Sequence, residues 1–121
     1  MVMSVMLLAV STATSPALSH TDALIECYAD QTTKLRRSAE PVETVADAVM
    51  TLCVKFEAAA NEELYQSSVR SVQENTGGSL SEATRAASSV RDQGWRQWKA
   101  NIRGNIVAAL VQTRLGIAPH E

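Results

Sequence analysis

Residues 41–59 read PVETVADAVMTLCVKFEAA. Val42, Val45, Val49, Leu52, Phe56 and Ala59 recur at spacings of three and four, which gathers apolar side chains on one stripe of an α-helix. Pro41 suits the first turn of that helix and disfavours helical backbone at Glu40, so Ser38-Ala39-Glu40-Pro41 reads as a turn between two helices. The pattern continues through Leu64, Val69 and Val72 to about Glu74, where Asn75-Thr76-Gly77-Gly78 breaks it. No stretch carries a strand signal.

Upstream of the turn, helix one is expected over about 22–38, with Thr21 as N-cap and Asp22 near the positive helix end. Leu24, Cys27, Tyr28, Gln31 and Leu35 share one face of it. Cys27 and Cys53 each lie 13 residues from residue 40, the centre of the turn, so an antiparallel hairpin sets them level. A disulfide requires Cα atoms within about 7 Å, which this register provides. The bond closes a loop of about 27 residues, worth about 3.5 kcal/mol in loop-closure entropy. The competing reading is a pair of buried thiols in a reducing compartment.

The N-terminal stretch bears on that choice. No Lys, Arg, Asp or Glu precedes Asp22, and Met1 to Val10 is apolar apart from Ser4. Ser15-Pro16-Ala17-Leu18-Ser19 then supplies a breaker and small residues, the pattern a leader peptidase accepts. Residues 1–19 are therefore expected to be a cleaved signal peptide, with cleavage after Ala17 as the second choice. The apolar run is shorter than the ~20 residues a bilayer span needs. No basic residue precedes it, which leaves an uncleaved anchor or an ordinary helix as alternatives. Export to the periplasm or beyond and a Cys27–Cys53 disulfide support each other.

Helix three is bounded by a capping box at Ser79-Leu80-Ser81-Glu82 and by Leu115-Gly116-Ile117-Ala118-Pro119. Gly94 and Gly104 fall inside it, each costing about 1 kcal/mol relative to Ala, which leaves open whether the helix runs on through Gly94 or kinks or breaks there. Pairing about a turn near residue 77 sets Cys53 level with about Asn101. Helix one then covers only part of the pair. The run Ile106-Val107-Ala108-Ala109-Leu110-Val111, apolar all round, is expected to be buried on several sides there. The expected fold is all-α: a short helix plus two long helices (about 22–38, 41–74, 80–115) in one domain over 20–121. The three pack antiparallel, and a two-helix arm protrudes at about 60–93.

The 121 residues carry a net charge of −2. That total conceals a contrast: residues 20–84 hold 5 basic and 11 acidic residues, residues 85–120 hold 6 basic and 1 acidic, and Glu121 adds one acid. On a helical wheel Arg85, Arg96, Lys99, Arg103 and Arg114 fall within about 60° of one another. Trp95, Trp98, Ile102, Ile106 and Ala109 occupy the adjoining arc, interrupted by Arg91, while Asp92 and Leu110 interrupt the basic stripe. Such a face suits an anionic membrane surface, but the preferred reading is a helix that packs its Trp side inward and leaves its cations as a solvated flank or pairs them with the acidic hairpin. Nucleic acid is not an expected partner, given export and the acidic remainder.

Material for catalysis is sparse. No serine sits in Gly-x-Ser-x-Gly, and Glu62 and Glu63 are adjacent and so diverge on a helix. His20 and His120 are the two histidines, and about 24 residues of helix, roughly 36 Å, separate their expected levels. No metal, cofactor or enzymatic activity is therefore expected. The sequence points to an exported, non-enzymatic structural or protein-interaction module acting through the arm, as a homo-oligomer or with a protein partner. The alternative is a peripheral binder of anionic membranes through Arg85, Arg96, Lys99, Arg103, Arg114, Trp95 and Trp98.

Overall fold

The turn at residue 40 and the double glycine at 77–78 divide the chain into helices that pack side by side. A computed structural model describes residues 18–116; most of the expected leader, residues 1–17, and the C-terminal residues 117–121 with Pro119, His120 and Glu121 lie outside them. The described chain is all-helical, with no strand: α1 (Ser19–Leu35), α2 (Val42–Leu52), a short 3₁₀ turn (Val54–Phe56), α3 (Glu57–Thr76), α4 (Leu80–Ser89) and α5 (Arg91–Arg114). Helix α1 packs on α2 and the start of α3, α4 lies along α3, and α5 returns against α2.

Helix α1 begins three residues before the expected start and ends at Leu35. Thr21 is accordingly not the N-cap; it lies buried inside the first turn. Leu24 and Tyr28 are buried, with Cys27 and Leu35 packed beside them. Cys27 and Cys53 are bonded across the hairpin with Cα atoms 5.9 Å apart, well within the range a disulfide spans.

The second expected helix is two. Helix α2 stops at Leu52, and Cys53 leaves helical geometry at φ −103°, ψ 7°, its N–H reaching the Met50 carbonyl at 3.3 Å. The buried stripe runs through Val49, Cys53 and Ala60, at spacings of four and seven, where Leu52 and Ala59 were expected, and Leu52 stands 52% exposed. The main core unites Leu24, Tyr28, Val45, Ala46, Val49, Cys53, Ala60, Ile106 and Leu110.

The third expected helix also divides, but at Val90 and not at Gly94. Ser89 Oγ donates to the Ala86 carbonyl at 2.8 Å, an alternative to the helical ladder that serine offers readily. Val90 N–H then reaches Ala87, and the ladder restarts with Gly94 N–H on the Val90 carbonyl at 2.8 Å, so α5 runs unbroken through Gly94. The ends follow their local chemistry. Ser79 and Glu82 form the reciprocal capping box, and Gly77 (φ +66°) and Gly116 (φ +75°) take the left-handed conformation that a side chain would strain.

The apolar run 106–111 is not enclosed. Ile106 and Leu110 are buried, but Ala108 faces solvent and Val111 is 39% exposed. One short helix and α2 supply too little surface to surround α5, and a groove of about 360 Å³ lined by Ile25, Tyr28, Ile102 and Ala109 remains open between α1 and α5.

Candidate functional site: the groove at the α4–α5 break and the basic face of the last helix

Past the main core, α3 and α4 hold each other through a small cluster. Val69, Ala83 and Ala87 are buried there, with Tyr65 and Val72 alongside. Alanine removes little apolar surface from water, so this cluster gains much less than the Leu, Val and Ile core below it. Tyr65 Oη and Ser88 Oγ lie 2.7 Å apart and tie the two helices near the break.

The break at Val90 shapes what lies between the clusters. Because α5 restarts with a new phase, Arg91 turns toward α3, its guanidinium 4.2 Å from the centroid of the Tyr65 ring and 2.9 Å from Glu62 Oε1. A cation over a ring face and beside a carboxylate is attracted by both. This explains a cation inside the apolar arc of the sequence. One turn later, Trp95 and Trp98 stack with centroids 5.2 Å apart and planes 12° from parallel. Both are half-buried against the edge of the main core, and both also face a groove of about 400 Å³ shared with Tyr65, Ala87, Val90 and Arg91. Gly94 lies on its wall, where an added Cβ would meet nothing within 4 Å.

The five cations of the expected stripe separate. Lys99 Nζ lies 3.0 Å from Glu57 Oε1, and Arg103 Nε lies 2.8 Å from Asp47 Oδ1. Arg114 donates to the carbonyls of Ser38, at 3.0 Å, and Glu40, tying the end of α5 to the α1–α2 turn. With Arg91–Glu62, the ion pairs straddle residues 75–78 symmetrically, so the acidic hairpin faces the basic helix over its length. Arg96 is exposed on α5, and Arg85 is exposed on α4, on the far side of the break. The wheel that joined Arg85 to the other four assumed one continuous helix.

The titration behaviour follows these partners. The Arg103 hydrogen bond holds the Asp47 carboxyl below its usual range, and Gln66 followed by Arg91 does the same for Glu62. Burial, with a smaller contribution from the Glu57 charge, pushes the Tyr28 phenol up to about 12. Glu63 was set aside in the sequence as diverging from Glu62. It does diverge, and its two oxygens accept the backbone N–H groups of Thr21 at 2.8 Å and His20 at 3.0 Å. Burial acts to raise the Glu63 carboxyl, but the backbone N–H groups of Thr21 and His20, together with the Thr21 side chain and the His20 charge, outweigh it and the net displacement is downward. Contacts 42 and 43 residues apart leave no local signal in the sequence.

Among the described residues no group of three or more His, Cys, Asp or Glu side chains is placed to hold a metal ion, and no helix is long and apolar enough to cross a membrane. Comparison with protein families, with curated protein sequences and with solved structures gives no match.

Proposed function

We propose that this chain is a non-enzymatic protein-interaction module, exported to the periplasm or beyond, that self-associates through the two-helix arm at about 60–93. In this reading the antiparallel three-helix section, stapled by Cys27–Cys53, is the rigid base. The arm, with its alanine-based cluster, completes its burial against the arm of a second copy. The observation that carries the reading is the groove between α3 and the α4–α5 break. It presents stacked Trp rings and Tyr65 to solvent, and Val90 on its rim and Leu80 at the arm tip are 53% and 59% exposed. Apolar side chains exposed together mark association surfaces more often than apolar residues scattered singly. The arm also carries exposed charges of both signs, among them Arg70, Arg85, Glu74 and Glu82. That mixture suits an antiparallel copy of the same surface.

The placement of the cations supports this reading over a membrane surface. Lys99, Arg103 and Arg114 are occupied by Glu57, Asp47 and the α1–α2 turn, and the Trp pair leans on the core. Sedimentation equilibrium across a wide concentration range tests the proposal. Val90→Asp places a charge on the groove rim while supplying the N-cap side chain that α5 lacks, so the monomer keeps its fold. Association that weakens in this variant supports the proposal. A concentration-independent monomer mass for the wild type overturns it. Salt-sensitive binding to anionic vesicles, abolished by Arg85→Glu and Arg96→Glu, would favour the membrane alternative.

A further inference from the structure

The first turn of any helix leaves backbone N–H groups without intrahelical partners, and a nearby side-chain oxygen usually takes one of them. Helix α1 has no such local cap. Its N–H groups at His20 and Thr21 are held instead by one carboxylate from α3, Glu63, which gives Oε2 to His20 at 3.0 Å and Oε1 to Thr21 at 2.8 Å. The Ser15 to Ser19 pattern places the preferred leader cleavage at the Ser19–His20 bond, on the nitrogen that Glu63 already holds.

We infer that Glu63 is the seat of the processed N-terminus: after the leader is removed, the α-ammonium of His20 forms an ion pair with Glu63 and locks α1 onto α3. The inference rests on the reading that residues 1–19 are a cleaved leader. Cleavage is a hydrolysis performed by a leader peptidase acting on the unfolded precursor. Water adds hydroxide to the Ser19 carbonyl carbon and a proton to the His20 nitrogen, and the new amine takes a second proton at neutral pH. The nitrogen need not move. It changes from a neutral amide with one proton to an ammonium with three, so a neutral hydrogen bond becomes a charge-assisted one. Cleavage after Ala17 does not have this result, because the amine then sits two residues away and Glu63 still receives neutral amides.

The surroundings favour the charged amine. Glu62, Glu63 and Arg70 of α3 line one shallow depression with His20, and Asp22 stands next in α1. Arg91 of α5 engages Glu62, and the His20 imidazole is the remaining titratable group at the site. The ammonium state is therefore stabilised in the folded protein, and the amine titrates above the ordinary α-amino range of about 7.7–8.0. Its contribution to stability is complete below that range and is lost as pH rises through the raised value. Glu63 contributes above the ordinary carboxyl range and loses its contribution on acidification. The latch works in the window between.

The test uses the protein purified from the exporting host, as wild type and as Glu63→Gln. Intact mass gives the first residue, and the rate of α-amine acylation against pH, read on the N-terminal peptide by mass spectrometry, gives the amine pKa. The imidazole is common to both proteins and cancels. A chain beginning at His20 whose amine titrates about one unit higher in wild type than in Glu63→Gln is the expected result. Coincident titrations on a chain beginning at His20 overturn the Glu63 pairing and leave the leader reading standing. A chain that begins at Leu18 overturns the pairing and shows the leader cleaved at its second site, and a chain that keeps residues 1–19 overturns both. Should Glu63→Gln fail to fold, wild-type sequence prepared with Ser19 retained serves as the comparison. Its amine is expected to titrate normally, and a value equal to that of the processed protein overturns the inference.

Discussion

Reducing the Cys27–Cys53 bond removes a constraint from the unfolded chain while leaving both sulfur atoms in place. The bond joins residues 26 apart, and the loop-closure estimate for a ring of that size is about 3.5 kcal/mol. A domain of about 100 residues has 5–15 kcal/mol in all, and each kcal/mol moves its midpoint by about 4–8 °C. The reduced protein should therefore unfold roughly 15–25 °C below the oxidised one. Cys53 is fully buried, so reductant must be applied through an unfolding and refolding cycle. The paired variant Cys27→Ala, Cys53→Ala should lie about 1 kcal/mol lower again, because it also deletes a sulfur from the centre of the core. The assay is urea unfolding followed by helical circular dichroism, with the three proteins compared side by side. The slope with denaturant should rise slightly on reduction, since an uncrosslinked chain exposes more surface. If oxidised and reduced proteins unfold within 1 kcal/mol of each other, the hairpin is already closed in the unfolded ensemble and the entropic reasoning fails.

Two further outcomes are expected. In the pair Glu57–Lys99 the side chains are 15% and 32% exposed, so a double-mutant cycle with Glu57→Gln and Lys99→Met should return a coupling of about 1 kcal/mol, and it should exceed the cycle at the exposed Asp47–Arg103 pair. Tyr28 titrates near 12, above its ordinary 10, so its neutral form stabilises the fold below pH 10 and that contribution is lost as pH rises toward 12. Tyr28→Phe should remove this alkaline loss while changing stability at pH 7 by less than about 0.5 kcal/mol, since the buried hydroxyl has no hydrogen-bond partner among the described residues. Thermal melts between pH 7 and pH 12 check both statements.

What could be read from the residues depended on how far their consequences reach. The capping box at Ser79 and the left-handed glycines at 77 and 116 are local chemistry, and a local window contains all of it. The level of Cys27 with Cys53 required only a turn centre and equal helix lengths, and the helical periods of residues 22–72 supplied both. The break at Cys53 is different. Helix α2 gives way to a 3₁₀ turn at Cys53, and nothing in Leu52-Cys53-Val54 marks that point in advance. At Val90 the competition between serine back-bonding and the ladder is worth less than 1 kcal/mol, too little for sequence pattern to decide. The Glu63 clamp spans the chain and belongs to tertiary structure alone. The run 106–111 misled for another reason: its composition states how much surface wants burial, while the number of neighbours available sets how much obtains it.

Gly94 and Gly104 allow the interaction proposal to be separated from simple stability. Both sit inside α5, neither adopts a positive φ, and at neither would an added Cβ meet an atom within 4 Å. Each substitution by alanine should therefore stabilise the monomer by about 0.5–1 kcal/mol through helix propensity and reduced freedom of the unfolded chain. The two positions lie far enough apart for the gains to add. They differ in what they face. Gly94 belongs to the wall of the groove beside Trp95 and Trp98, and Gly104 does not. If a second copy enters that groove, a methyl at 94 occupies space at the contact, and association should weaken several-fold while the melting midpoint rises. Gly104→Ala should raise the midpoint equally and leave association unchanged. Melts and sedimentation on the two variants give four numbers, and the reasoning requires three of them to improve or hold while one falls. Equal effects of the two substitutions on association would place the self-contact elsewhere, with the open groove between α1 and α5 as the next surface to probe through Ala109→Arg.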